Sequence, residues 1–296
     1  MATCYRHPSR ETGVSCSSCG RPICPDCMTT TQVGMRCPEC AKQRTKVVRV
    51  RKGRTALRAT YALIAINVVA FLAEGNLTLT GGASNSVFEK GALLGSAYVQ
   101  REGVLHREGV AYDQWWRIIS GGFLHANLLH IFFNMYVLYV LGQLLEPALG
   151  SLKFTVIYAV SLLTGSLGAL LVTPHAPVVG ASGAVFGLMG AAAVELRARQ
   201  IPVFQTGVGG LILINLIISF SLPGISWGGH IGGLLGGALA AAVFRLGDRH
   251  RAQALALAGC AAIAMGAASG AVAAAKSSAV ELPARTGTVG GLSPGS

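Results

Sequence analysis

Seven runs of apolar residues, at about 59–73, 126–145, 152–172, 182–196, 205–222, 229–245 and 253–275, leave few folds open to this chain. Segments of this length match the hydrocarbon core of a bilayer, where only helices or closed barrels satisfy every backbone polar group. The runs are continuous rather than alternating, so they predict helices and an all-α polytopic membrane protein. With 52% of residues hydrophobic and 12% charged, the 296-residue chain is also too apolar for a soluble domain. The net charge of +12 would suggest a nucleic-acid partner in a soluble protein. Here the basic residues cluster at the ends of apolar runs, where they first signal topology.

Residues 42–58 contain eight lysines or arginines (Lys42, Arg44, Lys46, Arg49, Arg51, Lys52, Arg54, Arg58) and no acid, directly before the first run. A nucleic-acid arm is one reading of such a stretch. A juxtamembrane stop that holds this side in the cytoplasm is the reading adopted, and no nucleic-acid partner is expected. Threading the chain from a cytoplasmic N-terminus leaves 18 of the 24 basic residues inside. The protein is thus expected in the cell (plasma) membrane as a multi-pass protein, with the starts of the fourth and sixth runs on the extracytoplasmic side. No cleavable signal peptide is expected, since Met1 is followed by polar, cysteine-rich sequence. Residues 74–117 form a mixed extracytoplasmic loop ending in Trp115-Trp116-Arg117, whose aromatic and basic character suits the membrane interface. The Gly/Pro/Ser-rich tail from Ser277 is expected to be disordered.

Seven of the eight cysteines lie in the first 40 residues. With His7 they form four pairs, each with two residues between its members: Cys4/His7, Cys16/Cys19, Cys24/Cys27 and Cys37/Cys40. Each pair can clasp a metal from one tight turn, so the set fits two tetrahedral structural zinc ions. A disulfide knot is the competing reading, but it needs an oxidising compartment and leaves an odd cysteine and His7 unexplained. The pairs can bind in sequence or alternate. The segment resembles B-box and related cross-braced fingers, which implies alternation, with Cys4, His7, Cys24 and Cys27 on one zinc and Cys16, Cys19, Cys37 and Cys40 on the other. That resemblance also implies a cytoplasmic protein partner for the module. Few hydrophobic residues lie here, so folding is expected to need metal.

Within the apolar region one serine stands out, in Val179-Gly180-Ala181-Ser182-Gly183-Ala184-Val185-Phe186-Gly187, where a proline-broken loop meets a helical run. Unpaired N–H groups and the positive end of the dipole at a helix N-terminus can hold an oxyanion. A serine nucleophile needs a base, and His230 lies in Gly228-Gly229-His230-Ile231-Gly232-Gly233. Gly183 and Gly187 in the fourth run, and Gly229, Gly233 and Gly237 in the sixth, recur every four residues and allow close helix approach. His130 and Asn134 share a helix face in the second run, so both can donate to one developing negative charge, with His125 nearby. The bland alternative is that all of these are packing or inter-helix hydrogen-bonding residues. No aspartate lies in the runs that carry Ser182, His230 and Asn134, so the third member of a triad is not evident.

From about residue 57 to 245 the chain resembles a rhomboid intramembrane serine protease. The motifs are Trp116-Arg117, His125-x4-His130-x3-Asn134, Gly142-x3-Glu146, Gly180-Ala181-Ser182-Gly183 and His230-x2-Gly233-x3-Gly237. The resemblance implies a six-helix core with Ser182 as nucleophile and His230 as general base, a Ser-His dyad with no cofactor in catalysis. His130, Asn134 and the Ser182 N–H would form the oxyanion hole, with Phe186 packed on the base and His125 in support. Trp116, Arg117 and Glu146 match supporting motif positions. Expected substrates are single-span transmembrane proteins in the lipid bilayer, cut near the membrane surface. A catalytically inactive rhomboid-like scaffold and a transporter are the alternatives. The domain organisation expected is a zinc module at 1–41, a basic linker at 42–58, a protease core at 59–251, an additional seventh helix at 252–276 and a tail at 277–296. Gly266 and Gly270 are expected to pack the seventh helix.

Overall fold

The computed structural model describes residues 2–31, 34–42, 56–75, 77–80, 85–101 and 104–279. Most of the basic run, at 43–55, and the tail at 280–296 lie outside the described residues. The chain divides into two units, Met1–Arg54 and Thr55–Ser296.

The first unit holds two small antiparallel ladders, β1 (Ala2–Thr3) with β2 (Glu11–Thr12) and β3 (Thr29–Thr31) with β4 (Gly34–Arg36), followed by α1 (Pro38–Lys42). Its buried centre consists of Cys4, Cys16, Cys24, Cys27, Cys37 and Cys40 around Ile23. Burying one isoleucine contributes about 1.5–3 kcal/mol. Ordering each residue of backbone costs about 1–2 kcal/mol, so this interior cannot hold the unit together by hydrophobicity alone. All of its cysteines are free thiols, so no disulfide supplies the difference.

The second unit is helical. It comprises α2 (Arg58–Glu74), α3 (Ser86–Gly91), the hairpin β5 (Ala97–Arg101) and β6 (Val104–Glu108), α4 (Arg117–Ser120), α5 (Leu128–Leu149), α6 (Ser151–Val172), α7 (Ser182–Ala198), α8 (Val208–Ser221), α9 (Trp227–Arg249) and α10 (Gln253–Ser277). A helix occupies each of the seven predicted apolar runs. Among the described residues, α5, α6, α9 and α10 are long and apolar enough to cross a membrane, while α8 is a shorter apolar helix. The protein is thus polytopic and mostly helical, as its apolar runs require.

Three helices, α6, α7 and α9, form the centre by approaching backbone to backbone. A Cβ on Gly233 would fall 1.9 Å from the Gly183 carbonyl oxygen, and one on Gly237 would fall 2.1 Å from that of Gly187. Only glycine permits that distance, which brings the starts of α7 and α9 together. At the far ends of the same helices, Arg245 Nη1 donates to the buried Glu195 at 3.3 Å, so the two helices run parallel.

α10 packs through alanines rather than glycines. Ala256, Cys260, Ala267, Ala271 and Ala274 are buried along one face. Gly270 lies near Leu167, but a Cβ on Gly266 would meet nothing within 4 Å, which corrects its predicted packing role. Alanine is small enough for close approach and leaves the helix stiffer than glycine would.

The connection from α2 to α5 also departs from expectation at one residue. Trp115 and Trp116 are exposed, but Arg117 is 1% exposed and turned inward. Its guanidinium donates to the carbonyls of Glu89 (2.7 Å) and Ala92 (2.8 Å), to Gln114 Oε1 (2.7 Å) and to Glu108 Oε2 (3.1 Å). A buried charge survives only when its donors are filled, and these acceptors tie α3, β6 and α4 into one cap.

Candidate active site and metal clusters

Ser182 opens α7 because the chain cannot be helical just before it. Gly180 sits at φ 127°, and a Cβ there would lie 2.7 Å from His130 Nε2. The sharp entry leaves the Ser182 N–H at the first helical position, without a partner in the preceding turn. His230 lies in the first turn of α9, whose N-cap Ser226 accepts from the Gly229 N–H at 3.3 Å. The glycine contacts between the two helices then bring His230 Nε2 to 2.8 Å from Ser182 Oγ. Phe186, one turn along α7, stacks on the imidazole with centroids 4.1 Å apart and planes 11° from parallel.

The other ring nitrogen of His230 has a partner that sequence reasoning missed. Ser219, buried on α8, places its Oγ 2.6 Å from His230 Nδ1 and 2.6 Å from the carbonyl oxygen of Asn215. A single inward-facing serine inside an apolar run carries no spacing signal. The one available hint is that Asn215 and Ser219 are four apart, on one face of a helix whose other polar residue is the terminal Ser221.

α5 contributes the neighbouring polar groups. Its N-cap Asn127 accepts from the His130 N–H at 2.9 Å, which holds His130 at the start of the helix. The Ala126 N–H points at His130 Nδ1 at 3.4 Å, which leaves Nε2 facing the Gly180 backbone beside Ser182. Asn134, one turn further, donates from Nδ2 to the His130 carbonyl at 3.1 Å, and its amide carries a second N–H. His125 is fully buried edge-on against His130, centroids 5.1 Å apart, and its backbone N–H donates to Glu74 at 3.0 Å. Neither ring nitrogen of His125 meets a protein partner among the described residues.

The remaining motif residues lie outside this group. Glu146 is buried near the end of α5 and accepts from the N–H groups of Ala59 (2.8 Å) and Thr60 (2.9 Å), from Thr60 Oγ1 (2.6 Å) and from Ser151 Oγ (2.7 Å). It therefore caps the start of α2 and joins it to α5 and α6. Trp116 donates its indole N–H to the Lys90 carbonyl at 3.1 Å, within the same cap as Arg117.

In the first unit the cysteines and His7 gather as two groups, Cys4, His7, Cys24 and Cys27, and Cys16, Cys19, Cys37 and Cys40, with ligand atoms all within 4.8 Å of one another. The pairs thus alternate along the chain. His7 Nδ1 lies 3.3 Å from Cys24 Sγ and 3.4 Å from Cys27 Sγ, while Cys19 and Cys37 sulfurs are 3.8 Å apart. A tetrahedron with metal–sulfur bonds of about 2.3 Å has sulfur–sulfur edges of about 3.8 Å, so both cages are of metal size. The Cys37 N–H chiefly, against the opposing effect of burial, holds the Cys16 thiol down at about 6. Its neighbour Cys40 is pushed up to about 12, first by the hydrogen bond its own thiol gives to Cys37.

A family model described as Rhomboid domain matches residues 112–247. The chain is 34% identical to Rhomboid protease GluP of Bacillus subtilis (strain 168) over 190 residues, 63% of this chain and 35% of GluP. It is 35% identical over 135 residues to the rhomboid YdcA of the same organism, 44% of this chain and 68% of YdcA. Rhomboid-like protease 1 of Toxoplasma gondii is 37% identical over 136 residues, 43% of this chain and 46% of that protein. The chain thus spans about a third of GluP, less than half of the Toxoplasma protein and just over two thirds of YdcA.

Proposed function

The chain belongs to the rhomboid family, and on that premise we propose that it is an intramembrane serine endopeptidase that cuts transmembrane proteins with a Ser182–His230 dyad. The observation that carries this reading is the 2.8 Å separation of His230 Nε2 and Ser182 Oγ at the adjoining starts of α7 and α9. Ser182 Oγ attacks the scissile carbonyl carbon while its proton passes to His230 Nε2. The oxygen of the tetrahedral intermediate takes the negative charge, opposite the Ser182 N–H, His130 Nε2–H and the second N–H of Asn134. The C–N bond then breaks, His230 returns the proton to the leaving amine, and water releases the acyl group by the reverse sequence.

Depth follows from helix length. The 17 residues of α7 span about 25 Å, less than the roughly 30 Å of the hydrocarbon core. With Glu195 and Arg197 near one surface, Ser182 falls short of the other, inside the bilayer but near its face. The surplus of basic residues on the other side supports placing that face on the extracytoplasmic side, in the cell membrane. Single-span transmembrane segments that can extend near that surface are the substrates this site fits. Residues 1–41 form a zinc module holding two structural ions on the cytoplasmic side, where a partner protein docks, with no part in catalysis.

The test is cleavage of a generic single-span substrate in detergent by wild type, Ser182→Ala and His230→Ala, with fluorophosphonate labelling beside it. Both variants are expected to fold and to be inactive, and only the serine variant is barred chemically from labelling. Labelling or cleavage by Ser182→Ala at the wild-type level would overturn the assignment.

A further inference from the structure

We infer that Ser219 is the positioning residue of the dyad: it fixes the tautomer in which His230 can act as a base. The inference rests on the dyad reading above and deepens it. Ser219 Oγ has two partners at 2.6 Å, the Asn215 carbonyl oxygen and His230 Nδ1. Neither separation is tolerable between two lone pairs, so a proton lies on each line. The carbonyl can only accept, so the single hydroxyl proton of Ser219 is committed to Asn215. The proton on the second line therefore belongs to His230 Nδ1, which donates to Ser219 Oγ.

A neutral imidazole carries one N–H, so Nε2 holds the lone pair. That nitrogen is the one 2.8 Å from Ser182 Oγ, and its lone pair is what a general base needs. In the other tautomer an N–H would point at the serine and could not take its proton. In triads of the Ser-His-Asp type an aspartate settles the same choice. Here a neutral hydroxyl anchored to its own helix does so, without placing a carboxylate in the membrane. Ser219 also accepts from the imidazolium formed once Nε2 gains the proton, so it acts in the ground state and along the reaction.

Substitution by a pair of equal shape isolates the hydroxyl. Ser219→Thr keeps an Oγ able to bond four residues back and is expected within about threefold of wild type in kcat. Ser219→Val has the same outline without the oxygen, and its kcat is expected to fall about 10- to 100-fold with KM changed less than about twofold. The direct readout is the ring ¹⁵N spectrum of histidine-labelled full-length protein, with the His230 signals assigned by their loss in His230→Ala. Wild type is expected to carry the proton on Nδ1, and the valine variant to show both tautomers. Equal kcat for the threonine and valine variants would overturn the inference while leaving the dyad standing, provided Ser182→Ala is inactive. A proton on Nε2 in wild type would overturn it too, and that measurement holds even if the valine variant does not fold. An active Ser182→Ala would instead bring down the dyad reading itself.

Discussion

The imidazole of His230 lies face to face on the ring of Phe186, centroids 4.1 Å apart and planes 11° from parallel. The stack fixes ring tilt, while the hydrogen bonds at its two nitrogens fix ring rotation, so the orientation of the imidazole is set from three helices. Phe186→Tyr should keep the stack and stay near wild-type turnover. Phe186→Leu keeps an apolar contact but loses the flat platform. Stacked aromatic pairs contribute about 0.5–1.5 kcal/mol beyond area, which predicts a loss of about 2- to 10-fold in kcat. Steady-state cleavage of one substrate by the three proteins checks this, and equal rates would show that the stack is only packing.

The proposed oxyanion donors make a graded prediction. Asn134→Ala and His130→Ala should each lower turnover about 10- to 1000-fold, because each removes one donor among several. Both should still label with a fluorophosphonate, since Ser182 and His230 stay in place. His130 also fills the space beside Gly180, so His130→Gln, which keeps a donor, should recover part of the loss. Wild-type turnover in both alanine variants would place the donors elsewhere.

How much of this was legible in the sequence depends on whether the signal was periodic or solitary. Apolar runs are long and bounded by glycine, proline or charge, so each predicted span coincides with a helix to within a few residues. The approach of Ser182 to His230 is likewise legible in Gly183, Gly187, Gly233 and Gly237, whose four-residue interval marks a helix face. Ser219 was not legible, because its role comes from a bond between α8 and α9 that no local pattern encodes. Arg117 reads as interfacial by residue type, yet the loop folds over it and supplies buried acceptors. Gly266 shows the reverse error, a small residue at a plausible interval that faces no neighbour.

The same glycines predict stability effects of opposite sign. Gly237→Ala would place a methyl group 2.1 Å from the Gly187 carbonyl, so α7 and α9 must part. Overpacking of this kind costs about 1–3 kcal/mol and should also separate Ser182 from His230. A lower Tm in detergent together with lower turnover is expected. Gly266→Ala meets nothing and raises helix propensity, so its Tm should be unchanged or higher.

Arg117 should matter for folding rather than chemistry. Arg117→Met removes a buried cation together with its bonds to Glu108 and to the carbonyls of Glu89 and Ala92, a loss of about 3–5 kcal/mol. Arg117→Lys should recover little, since one ammonium cannot reach four acceptors spread around a planar fork. Trp116→Phe gives up one exposed indole N–H bond to Lys90 and should cost about 1 kcal/mol or less. Thermal unfolding and limited proteolysis of the 74–117 region rank the three, and a methionine variant as stable as wild type would contradict the inward placement.

The metal clusters allow the order of pairing to be tested by counting ions. Full-length protein should contain two zinc ions per chain, and removing them should unfold a first unit in which Ile23 is the only aliphatic core residue among the described residues. Any single cysteine-to-serine change among the ligands should cost one ion whichever way the pairs are arranged, so single variants cannot tell alternation from sequence order. Double variants can. Cys4 and Cys24 share a cluster, so Cys4→Ser with Cys24→Ser should leave one zinc bound, whereas in sequential pairing the two changes would strike both sites and leave none. Cys4 and Cys16 belong to different clusters, so that double variant should retain none, whereas sequential pairing would leave one. Metal analysis of the two double variants therefore gives opposite results for the two arrangements, and the reversed pattern would rule out the cross-braced fold.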